Sequence, residues 1–179
     1  VCLMTLDEKR KKLEELALKH TSSQTEAYKN SIYLPYITLP NAKGKGTMME
    51  EYFYWLFNAE GIKTQWIRTN ENYDYIMGKN EVKVELKVAS IGHNNIVAFN
   101  QLHFGQKRNV DKFLLIIIKP DDRIDMFLVD KKIFANGVIS LQKQHSSEKN
   151  ECARLCLPYD KMCEQLENFK VGLDTLREL

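Results

Sequence analysis

"EVKVELKVAS", residues 81–90, alternates charge with bulk. Glu81, Lys83, Glu85 and Lys87 occupy the odd positions, and Val82, Val84, Leu86 and Val88 the even ones. A period of two predicts a β-strand with one face in a core and the other turned outward. The charged face is then either an ordinary solvated sheet surface or a place where acids and a lysine meet an ion.

The surroundings decide the fold class. Upstream, "TMMEEYFYWLFNAEG" (47–61) predicts a helix rich in Met, Phe, Trp and Leu. Thr47 is its expected cap, Glu50 the partner in a capping box, and Gly61 the left-handed stop. Short strands are expected at 62–68 and 73–77. Downstream, "FLLIIIK" (113–119) reads as a fully buried strand that turns at Pro120-Asp121-Asp122 into another at 124–130. Residues between the charged strand and 113 form a link of helix or strand. A partly amphipathic helix opens the chain at 5–20, with Thr5 as its cap. Residues 21–46 read as irregular connection, ending in the basic loop "NAKGKG" (41–46). A closing helix is expected at 160–179, broken near Gly172. The order predicts one α/β (α+β) domain over 1–179, a central mixed sheet flanked by helices, with its core at about 45–130.

Composition narrows the function classes. At 44% hydrophobic and 28% charged, the 179 residues are those of an ordinary globular domain. No apolar run approaches the roughly 20 residues that span a bilayer. The N-terminal stretch lacks a secretory pattern, and Cys2, Cys152, Cys156 and Cys163 show no framework spacing, so a reduced cytoplasmic setting is expected. Residues 47–60 hold three acids and no Lys or Arg, whereas 61–120 hold nine bases against five acids. A mildly basic middle is compatible with a polyanion. A zinc site from His145, Cys152, Cys156 and Cys163 lacks a Cys-x₂-Cys knuckle, and thiols buried on a helix are the expectation instead.

Hydrolysis of a phosphodiester with Mg²⁺ needs hard oxygen ligands and benefits from a nearby cation. Asp74, on the strand before the turn, and Glu85 with Lys87 after it would supply these, because residues i and i+2 share a face. Glu81-Val82-Lys83 repeats the Glu-x-Lys pattern, and pairing separates the two. In a hairpin turning near 78–80, Asp74 lies opposite 84 or 85 and Glu81 opposite 77 or 78. Only residues nearly opposite bring their Cβ atoms within roughly 4.5–5.5 Å. Asp74 and Glu85 share a face only if the loop has an even length, such as four residues 78–81, or contains a bulge. A three-residue loop would set Asp74 against Val84 instead.

An acid on a helix (Glu50 or Glu51), then Asp74 in "YDYIM", then Glu85 and Lys87 in "VELKVAS" resembles the PD-(D/E)xK nuclease superfamily. The continuation "FNQLHFGQKRNVDKFLLIIIKPDDRIDMFLVD" is similar to the segment that follows this motif in type II restriction endonucleases. The likeness covers about residues 45–130, and Tyr73 stands where the name-giving proline would be.

The resemblance implies a restriction-endonuclease-like fold and Mg²⁺-dependent hydrolysis of double-stranded DNA at a short sequence. Asp74, Glu85 and the Leu86 carbonyl would be the metal ligands and Lys87 the residue orienting the attacking water, with Glu50 or Glu51 toward a second metal or its waters. Gln101 loosely matches a polar residue beside the site. In the turn-like "GHNN" (92–95) and "GQKR" (105–108), His93, Asn94, Asn95, Gln106, Lys107 and Arg108 are candidates for DNA contact, as are Lys43 and Lys45. The bland alternative for all of these is solvent-exposed loop. Cutting two strands with one site per chain predicts a homodimer, and a restriction role predicts a companion DNA methyltransferase in a bacterial or archaeal cytoplasm. A junction- or damage-directed nuclease, and a non-catalytic DNA-binding domain of the same fold, stand as alternatives.

Overall fold

The computed structural model describes residues 4–19, 22–69, 71–143 and 152–179. Its centre is a mixed six-stranded sheet. The members are β1 (Thr64–Trp66), β2 (Tyr75–Met77), β3 (Val82–Ser90), β5 (Lys112–Ile118), β6 (Ile124–Asp130) and β9 (Lys170–Val171), hydrogen-bonded in the order β1-β2-β3-β5-β6-β9. β3 and β5 run parallel and every other neighbouring pair antiparallel. A second sheet holds β4 (Ile96–His103), β8 (Cys152–Pro158) and β7 (Gln142–Lys143), in the order β4-β8-β7.

β5 divides the core, because its side chains alternate between two apolar layers. Leu114, Ile116 and Ile118 pack with Val84 and Leu86 of β3 under helix α4 (Ala42–Ala59), through Met49, Phe53 and Phe57. The same layer takes Tyr28, which follows helix α2 (Ser23–Ala27), Ile37 of helix α3 (Leu34–Thr38) and Leu176 of helix α7 (Leu173–Arg177). On the opposite face Phe113, Leu115 and Ile117 meet Val97, Phe99 and Leu155 of the small sheet, Phe134 of helix α5 (Lys131–Ala135), and Met162 and Leu166 of helix α6 (Tyr159–Leu166). No helix among the described residues is long and apolar enough to cross a membrane.

Helix α1 (Leu6–Lys19) opens with a reciprocal capping box. Glu8 N donates to Thr5 Oγ1 (3.2 Å) and Thr5 N donates to Glu8 Oε2 (2.7 Å). Four expectations fail. Residues 21–46 are not irregular: they contain α2, α3 and the first turn of α4. The cap of α4 is Asn41, whose side chain accepts from Gly44 N at 2.6 Å, so Thr47 and Glu50 form no capping box. A Cβ on residue 44 would lie 2.8 Å from Asn41 Oδ1, which is why the cap needs glycine there. At the other end Gly61 does stop the helix, at φ +79°, with Gly61 N donating to Asn58 O and Ile62 N to Phe57 O. The closing segment is not one broken helix, since β9 adds an edge strand to β6 between α6 and α7. Finally, Cys152 and Cys156 lie on β8, and only Cys163 is helical. Among the described residues these three thiols form no disulfide, Cys152 Sγ lies 3.8 Å from His103 Nε2, and His145 falls outside the described residues.

Candidate active site

The loop between β2 and β3 has the four residues 78–81, because Met77 pairs with Val82 and Tyr75 with Val84. One step further the register places Asp74 against Glu85. Gly78 (φ +74°) and Glu81 (φ +52°) both take left-handed backbone in this turn. The turn is packed tightly from outside: a Cβ on residue 78 would lie 2.2 Å from the Leu179 carbonyl carbon, and Asn80 donates through N and Nδ2 to Leu179 O (3.2 and 2.7 Å). Glu81 is exposed, and Lys83 Nζ is held by Asn109 Oδ1 at 3.1 Å and lies over the Tyr73 ring. The repeated Glu-x-Lys motif is therefore directed elsewhere.

Asp74 is fixed from three directions. Its N–H donates to Val84 O (3.0 Å), its carbonyl accepts from Ile67 N (2.8 Å), and its Oδ2 accepts from Leu86 N (2.8 Å). Lys87 Nζ lies 2.8 Å from Glu85 Oε1. These two side chains are only 23% and 12% exposed, which sets them apart from a solvated charged face. Both line a cleft of about 280 Å³ together with Asp74, Glu50 and Lys45.

Helix α4 resolves the choice between the two glutamates. Its buried stripe is Met49, Phe53 and Phe57, so Glu50 borders the stripe while Glu51 turns to solvent. Trp66 Nε1 donates to Glu50 Oε2 (3.3 Å) and the Tyr75 hydroxyl to Glu50 O (2.5 Å), so β1 and β2 hold Glu50 at the cleft.

Burial raises the pKa of all three acids. For Glu50 the next cause is the charge of Asp74, and Glu85 adds to it. For Asp74 the Leu86 N–H and Lys87 pull back. For Glu85 Lys87 pulls back first, Asp74 pushes up, and Arg108 pulls down. Negative charge is thus crowded into a half-enclosed space with Lys87 as its common counter-charge. Among the described residues no group of three or more His, Cys, Asp and Glu side chains is drawn together as a metal centre. The donors present are oxygen only and mutually repelling, which fits a hard divalent cation such as Mg²⁺ and does not fit a soft metal.

The remaining candidates separate. Lys45 lines the cleft, with Nζ over the Tyr36 ring and donating to Ile37 O (3.3 Å), whereas Lys43 is exposed. Arg108 NH1 is anchored on Asn72 Oδ1 (2.7 Å) near enough to act on Glu85, while Gln106 and Lys107 are exposed in the preceding turn. His93, Asn94 and Asn95 form a 3₁₀ turn outside the carboxylate cleft. Gln101 does not line the cleft; Asn100 does. A bulge between Phe99 and Leu102, with Gln101 at φ +54°, inserts one residue in β4 relative to β8. Tyr36 was also missed, because its helix was read as loop. The one available signal for Asn100 is its place two residues after Ala98, which also lines the cleft. No family model matches the chain, and no curated protein matches its sequence.

Proposed function

We propose that the chain is a Mg²⁺-dependent endonuclease that cleaves double-stranded DNA at a short specific sequence, in the manner of a type II restriction endonuclease. The observation that carries this reading is the four-residue turn, which sets Asp74 against Glu85 with Lys87 in the same half-buried cleft. Asp74, Glu85 and the Leu86 carbonyl are the ligands in this reading, and Glu50, not Glu51, is the third acid. When bound, Mg²⁺ would supply Lewis-acid chemistry at the phosphate.

The chain's own residues do the rest. The Leu86 N–H occupies Asp74 Oδ2, which leaves Oδ1 as the oxygen offered to the ion in this reading. Lys87 orients the attacking water and offsets charge that builds on the phosphate oxygens. Glu50, whose pKa is pushed up first by burial and then by the Asp74 charge, is the general-base candidate in this reading. Lys45, which lines the cleft, and Arg108, whose charge acts on Glu85, are the phosphate-contact candidates in this reading. We place the enzyme as a homodimer in a bacterial or archaeal cytoplasm with a companion methyltransferase.

Digestion of mixed plasmid and phage DNA with Mg²⁺ tests this. Discrete bands from linear duplexes are the expected result. Cleavage only of branched or mismatched DNA would replace the restriction reading with a structure-directed one, and no cleavage of any DNA would remove the nuclease reading.

A further inference from the structure

Beyond the carboxylates a groove of about 500 Å³ continues, sharing Tyr36, Val88, Ala98 and Asn100 with the cleft. It runs beside β3 and β4 to the turn at residues 92–95 and is lined there by Gln24, Ser90 and His93. The turn is braced from beneath. Gln24 Nε2 donates to Ser90 Oγ (2.5 Å) and Ile91 O (3.4 Å), and Ile91 N donates to the Tyr28 hydroxyl (2.9 Å). The Tyr28 hydroxyl in turn donates to Ile118 O (2.6 Å), and Ser23 Oγ lies 3.3 Å from His93 Nδ1.

On this base stand Asn94 (φ +55°) and Asn95 (φ +61°), both exposed. Left-handed backbone at residues other than glycine costs about 1–3 kcal/mol each and persists only where the surroundings impose it. Asparagine is among the few residues that tolerate this backbone. Among the described residues neither amide side chain has a hydrogen-bond partner. The turn therefore displays two exposed amides next to Gly92 and His93, where the groove from the carboxylates ends, and the asparagines themselves border an adjoining depression of about 220 Å³ with Ser23, Ala27 and Pro120.

We infer that the turn at 92–95 is the base-reading element of the cleft, with the Asn94 and Asn95 amides hydrogen-bonding base edges of the duplex. This rests on the nuclease reading. Asparagine matches the paired donor and acceptor on the adenine edge in the major groove. From Lys87 to Gly92 is five residues, or about 16 Å of extended chain at roughly 3.3 Å each.

The test uses Asn94→Gly, Asn95→Gly and the double variant, since glycine keeps the left-handed backbone. Wild type and variants digest the same pooled plasmid and phage DNA with Mg²⁺, the cut ends are sequenced, and melting temperatures are compared. The expected result is unchanged melting, with selectivity at an adenine position lowered by about ten- to a hundred-fold for each amide lost. A wild type that cuts at discrete sites while the variants keep the same selectivity overturns this inference and leaves the nuclease reading standing. Equal loss of cleavage on every sequence also overturns it, because that marks a structural or phosphate-binding role. A wild type that cuts no DNA overturns both.

Discussion

The Asp74 carboxylate accepts the Leu86 N–H at 2.8 Å, so an acid at the end of one strand is tied to the middle residue of Glu85-Leu86-Lys87 on the next. That bond makes the two motifs one unit. Asn at 74 keeps the acceptor and removes the charge, which separates structure from chemistry. Asp74→Asn, Glu85→Gln and Lys87→Ala are expected to lower Mg²⁺-dependent cleavage by at least about 10²–10³-fold each. Duplex binding in Ca²⁺, read by gel shift, is expected to survive in all three.

The two neighbouring glutamates give a second contrast. Glu50 is held by Trp66 at the cleft, and Glu51 faces solvent. Glu50→Gln is expected to slow cleavage by about ten-fold or more, in the range of a lost general base. Glu51→Gln is expected to match wild type within about two-fold in the same assay.

The buried acids also set the pH dependence of stability. Asp74 has a raised pKa, caused first by burial. Such a group contributes stability that is fully present below its unfolded pKa of about 4 and is lost as pH rises through the folded value. Asp125, with a lowered pKa, acts with the opposite sign, so the comparison is made between variant and wild type. Without metal, Asp74→Asn is expected to melt with wild type at acid pH and roughly 2–4 °C above it at neutral pH, the scale of about 1 kcal/mol for this length. Thermal melts in EDTA from pH 3.5 to 7.5 check this. Added Mg²⁺ is expected to raise the melting temperature of wild type and to leave that of Asp74→Asn nearly unchanged.

The turn that sets the register is itself testable. Gly78 is left-handed, and a Cβ there meets the Leu179 backbone at 2.2 Å. Gly78→Ala is expected to cost about 1–3 kcal/mol. Urea unfolding measures it. Cleavage is expected to fall with it, since a displaced turn moves Asp74 relative to Glu85.

Much of this was legible along the chain. The alternation at 82–88 marks β3 and its buried face and the run 113–118 marks β5, whereas the turn length on which the Asp74–Glu85 pairing depends comes from the register of Met77 with Val82. What was hidden depended on partners distant in sequence or on compensation. α4 begins at Ala42 despite Gly44 and Gly46, each about 1 kcal/mol worse than Ala in a helix, because Asn41 caps it. β8 has no alternating burial, and its pairs with β4 run from Ile96–Pro158 to His103–Cys152, far apart in the chain. β7 and β9 are two residues each and exist only through their neighbours. Asn100 faces the cleft on the ordinary alternation of β4, two residues after Ala98, and the bulge at Gln101 breaks that period only beyond it.

The most direct measurement is cleavage of mixed duplex DNA by wild type and Glu85→Gln, side by side, over a Mg²⁺ titration. Glu85 keeps its place through β3 pairing on both sides, so the glutamine variant leaves the fold intact. The account predicts Mg²⁺-dependent discrete fragments from wild type, none in EDTA, and at most about a hundredth of that rate from Glu85→Gln. Equal cleavage by the two proteins, or no Mg²⁺-dependent cleavage by wild type, would contradict it.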